Sequence, residues 1–210
     1  MLKAFKLYMI ARVSKLGLSY AELKSLVKRQ PDSEEFLGLL IKSHSQKLEL
    51  NLGEIEEHKL KGGNPAKLID ALSISKRLEL DLSKNVAIEL NLNGHDIQKL
   101  VKMKITPQVF AWPKKDLEEK VIVKGDLNIA WRSYITLRLK HFHLIDKSIT
   151  LDDLLENMAN EIEDIVMTAS ASELLQNPQL LSNQVMTLKL DSDSAYELIS
   201  IELIARKLAD

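Results

Sequence analysis

Cysteine is absent from the 210 residues. That removes disulfide staples, thiolate metal sites and thiol catalysis together. Glycine and proline are scarce, at 7 and 5, which fits a helix-rich chain better than an all-β one with its many turns. Neither charge dominates, since 29 Lys and Arg face 30 Asp and Glu for a formal net charge of −1. A protein-wide electrostatic footprint for nucleic acid is therefore missing, and no nucleic-acid partner is expected. No apolar run reaches the ~18 residues that a bilayer span requires. What remains is a globular composition, 45% hydrophobic and 28% charged. It is too rich in Leu and Ile for disorder, and long enough for one large domain or two small ones.

The balanced charge is unevenly spread. The first thirty residues hold Lys3, Lys6, Arg12, Lys15, Lys24, Lys28 and Arg29 against a single acid, Glu22. Within them Leu2, Phe5, Met9, Ile10, Val13 and Leu16 recur at spacings of three and four, which places them on one face of a helix. A basic amphipathic helix of this kind can lie flat on an anionic membrane surface. The membrane-contact residues expected on this reading are Leu2, Lys3, Phe5, Lys6, Met9, Ile10, Arg12 and Val13. The alternative is a helix packed on the body of the protein with its lysines in solvent. Lys6 interrupts the apolar stretch and no small-residue cleavage site follows, so the segment does not read as a signal peptide.

A helix–turn–helix unit recurs three times. Its starts are LGLSYAEL from Leu16, LELNLGEI from Leu48 and LELDLSKN from Leu78, at offsets of 32 and 30. Each start is followed by a second break, at Pro31-Asp32, at Gly62-Gly63-Asn64-Pro65 and at Asn93-Gly94-His95, and then by another apolar-periodic run. Ser19 with Glu22, Asn51 with Glu54 and Asp32 with Glu35 have capping-box spacing. Asn64-Pro65 reads as a cap followed by Pro at the first helical position, after a left-handed Gly62-Gly63 turn. The third copy departs, because Asp81 is followed three residues on by Lys84. One such unit cannot bury its apolar face alone, so stacked units must share a core.

Thr106-Pro107 and Pro113 end the helical pattern, and from Val121 the period becomes two. Val121, Val123, Leu127, Ile129 and Trp131 alternate with polar residues, and Ile135, Leu137 and Leu139 continue. The pattern predicts an antiparallel ribbon turning at Lys124-Gly125-Asp126. Thr150 is placed to cap a helix with Asp152 and Asp153 in its first turn, and Asn177-Pro178 starts another. The stretch YELISIEL reads as a strand able to pair with the ribbon.

Chemistry-bearing constellations are few. His141 and His143, expected at the end of a strand, share a face there, with Asp146 the nearest acid; no third ligand sits at metal-site spacing, and no metal is expected. Asp152-Asp153 reads as first-turn acids, not as a catalytic dyad. Gly62-Gly63-Asn64 lacks the Lys and preceding strand of a phosphate loop. No Ser or Thr lies in a nucleophile-elbow context. His58 and His95 read as helix-end residues beside carbonyls, and Trp112 and Trp131 as core, with an interface the alternative. No catalytic residue and no cofactor is expected.

GGNPAKLIDAL, LELDLSKNVAIELNLNGHDI, ITPQVFAWP and KLDSDSAYELISIEL follow one another in order. In these stretches the chain resembles the bacterial flotillin-like protein A family, SPFH-type scaffolds of membrane microdomains. The family's Gly-Gly-Asn segment and its Val/Ile-Asp-Ala-Leu helix correspond to Gly62-Gly63-Asn64 and Ile69-Asp70-Ala71-Leu72. Its turn before an Asp-led helix corresponds to Asn93-Gly94-His95-Asp96, and its two prolines to Pro107 and Pro113. Its closing Leu-Asp-x-x-x-Ala-Phe-Glu-Ile-x-Ser-Ile corresponds to Leu190, Asp191, Ala195, Tyr196, Glu197, Leu198, Ser200 and Ile201. The short basic stretch 1–15 stands where members carry a hydrophobic anchor, and the chain stops before their Ala/Glu-rich helical region. The fold expected is α+β, with N-terminal tandem helix-turn-helix repeats and then an SPFH-like segment with an antiparallel β ribbon and packed helices. Its parts are 1–15, a basic amphipathic segment; 16–105, the helical repeats; and 106–210, the SPFH-like region. The resemblance implies a non-enzymatic scaffold on the cytoplasmic face of the cell membrane, peripheral, whose partners are itself as a homo-oligomer, an anionic membrane surface and protein clients. The alternative is a soluble, cytoplasmic adaptor that binds a protein through its repeats.

Overall fold

The computed structural model describes residues 2–114, 118–146, 149–186 and 194–208. Leu190 and Asp191 of the closing pattern, with Ser192 and Asp193 of the expected turn, lie outside them. Over these residues the chain is α+β and divides into two compact units, up to Gln98 and from Lys99 onward.

The first unit is a helical array. A leading helix, α1 (Leu2–Val13), precedes α2 (Tyr20–Arg29), α3 (Ser33–Ser45), α4 (Leu52–Leu60), α5 (Pro65–Arg77) and α6 (Lys84–Leu92); α7 (Ile97–Ile105) carries the chain into the second unit. The repeat is regular, and its period is 32 throughout. Lys15, Lys47 and Glu79 each take a left-handed φ between 52° and 55° just after a helix. In each case the following leucine donates its amide to a carbonyl five residues back: Leu16 to Ala11, Leu48 to Ser43 and Leu80 to Ser75. This is the Schellman closure, which satisfies carbonyls that a helix end otherwise leaves open. The third unit therefore aligns on Leu80, and the expected offset of 30 from Leu48 to Leu78 is a slip of two residues. The slip also explains the apparent departure at Asp81. The cap of α6 is Ser83, whose hydroxyl accepts the Val86 amide.

The capping boxes at Ser19/Glu22 and Asn51/Glu54 form as expected, with hydroxyl or amide oxygen and carboxylate each accepting the other's backbone N–H. The box expected at Asp32/Glu35 does not form. The Asp32 backbone is not extended, its side chain caps nothing, and both acids lie instead within 4.0 Å of the Lys59 ammonium. Helix α3 packs against α4 and α5, and α1 packs against α2 and α3 in the same way. Helix α1 thus occupies the place of a second helix in a repeat. Between repeats run charged rungs: Lys6 to Glu34, Lys42 to Asp70 and Lys84 to Glu54.

The second unit is built on one long strand, β3 (Leu127–Leu139). Along one edge it pairs first with β2 (Lys120–Lys124) and then with β1 (Gln108–Trp112); along the other it pairs with β4 (Tyr196–Lys207), all antiparallel. The turn at Gly125-Asp126 forms as predicted, with Gly125 at φ 62°. Alternation on β3 holds: Ile129, Trp131, Ile135, Leu137 and Leu139 are buried. On β2 the expected parity is reversed. A two-residue turn pairs Lys124 with Leu127, so Ile122 faces Ile129 inside, and Val121 and Val123 face out. A bulge at Thr136/Leu137 leaves Ile199 of β4 as the extra residue.

Helices α8 (Leu151–Thr168), α9 (Ala171–Gln176) and α10 (Pro178–Met186) accompany the sheet. Thr150 caps α8 in a capping box with Asp153. Leu155, Met158, Ile162 and Val166 form its buried stripe, and Lys120 of β2 pairs with Glu163. Helix α10 lies along β4, where the Leu203 amide donates to Ser182 Oγ at 3.1 Å in a buried position. On the outward face of the sheet Arg206, the register partner of Ala130, reaches to Glu119 with two nitrogens at 2.7–3.3 Å.

Candidate functional site

The N-terminal basic segment folds as the helix the spacing predicts, but the helix is apolar on two sides. Ala4, Leu7 and Ala11 are buried against the array. The stripe read from the sequence, Leu2, Phe5, Met9, Ile10 and Val13, is exposed. Leu16, expected to extend it, lies beyond the helix and is half-buried. The repeat supplies an internal control. Phe5 occupies the position of Leu37 on α3 and Ile69 on α5, yet it is 56% exposed where they are 1% and 0%. Leu2 and Val13 occupy the positions of Glu34 and Ser45, and they are 87% and 80% exposed. Helix α1 thus puts large apolar side chains in water at positions where its counterpart α3 puts polar ones, and contiguous exposed apolar surface marks an interaction site.

The cations around this stripe fall into two groups. Lys3 donates to the Pro31 carbonyl at 2.9 Å, and Lys6 pairs with Glu34 at 3.2 Å. Both are spent on holding α1 to the turn before α3 and to α3 itself. Arg12, Lys15, Lys24 and Lys28 are exposed and make no ion pair among the described residues. Glu22, the one acid within α2, is turned into its own cap. The Ser19 hydroxyl, and then the Ser19 amide, hold its carboxyl below the usual glutamate range.

Gly62-Gly63-Asn64 is a structural joint. Gly62, at φ 87°, closes α4; Asn64 caps α5 by accepting the Lys67 amide. Gly63 lies against the buried imidazole of His58, which a Cβ there would overlap. His58 Nε2 is 2.7 Å from Asn91 Oδ1, and that oxygen also accepts the Asn64 amide at 2.7 Å. His58 must therefore donate from Nε2, which leaves Nδ1 buried without a partner among the described residues. His58 is in the last turn of α4, as expected, but it meets a side-chain amide from the next repeat instead of a carbonyl.

His141 and His143 do not share a strand face. Strand β3 ends at Leu139, and a 3-10 turn at Phe142–Leu144 follows. Both histidines are exposed, with ring centroids 5.4 Å apart. Trp131 is core; Trp112 is half-buried, with the Lys120 ammonium 5.6 Å from its ring centre. Asp152 and Asp153 stand in the first turn of α8, as read. A shallow groove between α2 and α4 is lined by Leu18, Ala21, Ser25, Leu52 and Gly53, with the Arg29–Glu56 ion pair beside them. No helix among the described residues is long and apolar enough to cross a membrane.

Comparison with known proteins agrees with the resemblance in the motifs. The family model described as flotillin-like protein FloA matches residues 1–210. The flotillin-like protein FloA of Alkaliphilus metalliredigens (strain QYMF) is 25% identical over 198 residues, covering 94% of this chain and 59% of that protein. Its counterpart in Staphylococcus aureus (strain JH9) is 27% identical over 205 residues, with the same coverage. The chain thus spans about three-fifths of the length of these curated relatives. No solved structure matches it. With the match running from the first residue to the last, the chain belongs to the flotillin-like protein FloA family.

Proposed function

We propose that the chain is a non-enzymatic scaffold segment that works at the cytoplasmic face of the cell membrane as a peripheral protein and associates with copies of itself. The reading is carried by one observation: a folded, packed helix, α1, holds Leu2, Phe5, Met9, Ile10 and Val13 in water, in a chain matched throughout by a flotillin-like family. An in-plane helix of this form gains affinity from apolar burial plus screened charge. Lys3, Lys6 and Arg12 complete the expected contact set. Protein clients are held by the same scaffold, with neither cofactor nor bond-making chemistry required.

Vesicle flotation tests this reading. The 210-residue chain floats with vesicles containing phosphatidylglycerol, and the bound fraction falls with salt. Failure to float overturns the membrane part of the proposal. Light scattering of the chain on and off vesicles tests self-association, which a monomer in both settings overturns. Removing residues 1–16 is a poor probe, because it also strips Ala4, Leu7 and Ala11 from the core. Substitutions confined to the exposed stripe leave the packing intact.

The groove between α2 and α4 favours a second reading, a soluble adaptor that seats a protein segment on its repeats. A monomer indifferent to vesicles, whose partner binding is lost on Gly53→Lys, supports that reading against the first.

A further inference from the structure

The structure separates cations that hold α1 in place from cations that remain available, and the available ones extend onto a second helix. Helix α1 runs antiparallel to α2: Lys3 near its start meets Pro31 just past the end of α2, and Tyr8 in its middle meets Tyr20 at the start of α2, ring edge to ring at 5.9 Å. The flank of α2 beside α1 is thereby the one that carries Tyr20. Lys24 and Lys28 stand one and two turns on from Tyr20, both exposed. The opposite flank carries Arg29, which is turned to Glu56 of α4. On α1 itself Arg12 follows Tyr8 by four residues, on the border of the open stripe nearest α2, and Lys15 follows at the loop.

We propose that α1 and α2 together form one docking platform for an anionic lipid surface. Leu2, Phe5, Met9, Ile10 and Val13 enter the interface from α1, while Arg12, Lys15, Lys24 and Lys28 hold the headgroups. The inference rests on the membrane reading above and revises its residues. Lys3 and Lys6 leave the lipid contact and belong to the helical array; Lys15, Lys24 and Lys28 join it. Charge selects lipid over a second copy as the occupant of the stripe. Two such faces brought together set both copies' unpaired cations beside each other, whereas an anionic surface complements them. Docking needs no unfolding, because the side of α1 that packs on the array is not the side that meets the lipid.

The test is partition of the full 210-residue chain onto vesicles of phosphatidylcholine with phosphatidylglycerol, and of phosphatidylcholine alone, over a salt series. Lys24→Gln with Lys28→Gln lowers partition onto the mixed vesicles about thirty-fold and flattens the salt dependence. Lys6→Gln with Glu34→Gln removes the internal pair at constant net charge and leaves partition unchanged. Phe5→Ser with Met9→Ser lowers it about tenfold, with the fold intact by circular dichroism. Parent-level binding by the Lys24/Lys28 variant overturns the platform while the membrane reading stands. A parent chain that does not bind at all overturns the membrane reading itself. If the Phe5/Met9 variant breaks an oligomer and leaves vesicle binding untouched, the stripe belongs to a second copy and the platform is likewise overturned.

Discussion

Gly63 shows how much one missing side chain decides. Its backbone lies against the His58 imidazole, and the ring in turn reaches the next repeat through Asn91. Gly63→Ala forces ring and backbone apart and costs roughly 1–3 kcal/mol, read as a lower midpoint in urea unfolding. Tyr196 presents the reverse case, a group too many. Its side chain is buried in β4 and its hydroxyl finds no hydrogen-bond partner among the described residues. Burial pushes the phenol up to about 12 from 10.0. The unfolded chain thus ionises first, and stability falls as pH rises from about 10 toward 12. Tyr196→Phe, the residue the family pattern has there, removes an unsatisfied oxygen and stabilises by roughly 1 kcal/mol. In alkaline melts its advantage widens with pH, because the parent alone carries that loss.

At the scale of elements, the caps were the most legible feature and the helix ends the least. Ser19, Asn51, Asn64 and Thr150 cap where residue type and spacing place them, because a short side-chain oxygen beside three open amides has a single local use. The ends at Lys15, Lys47 and Glu79 carry no such mark. Left-handed backbone there falls to residues that rarely adopt it, so tertiary packing fixes the conformation where composition gives no hint. The two-residue slip in the third repeat follows from this, since Leu-Glu-Leu occurs at residues 48–50 and again at 78–80 and draws the alignment to the wrong leucine. Thr150→Ala removes the α8 cap and costs about 1 kcal/mol in thermal unfolding. The hydroxyl of Thr150, then its amide, lowers the Asp153 carboxyl below 3.8. A carboxyl depressed in the folded state contributes stability that is complete above its unfolded value and is lost as pH falls through the folded one. Acid melts of Asp153→Asn accordingly lack the part of the decline that the parent shows below about pH 4.

For the molecule as a whole, the period is the controlling quantity. Repeats of this kind are held by their immediate neighbours, so an array tolerates loss of one whole unit. Deletion of residues 47–78 removes one period and joins Gln46 at the end of α3 directly to Glu79. Glu79, already left-handed, then takes the place of Lys47, and Leu80 takes the place of Leu48. The shortened chain melts cooperatively with its helical signal retained. Deletion of residues 48–77, two fewer, sets Leu78 on the place of Leu48 but leaves the Ser83 cap and the buried face of α6 two residues out of phase, and gives a broad, early melt. The candidate surface was half legible from sequence. Its apolar stripe could be read from spacing alone, as Leu2, Phe5, Met9, Ile10 and Val13 prove exposed. Its charges could not, because the partners of Lys3 and Lys6 lie 28 residues away.

The Ser182 hydroxyl that accepts the Leu203 amide has a bearing on how copies of this chain can meet. A sheet grows by lending its outermost amides to an incoming neighbour, and here a helix already holds one of them, midway along the strand. Lateral fusion of sheets into a fibril is blocked at that border unless α10 is first prised off.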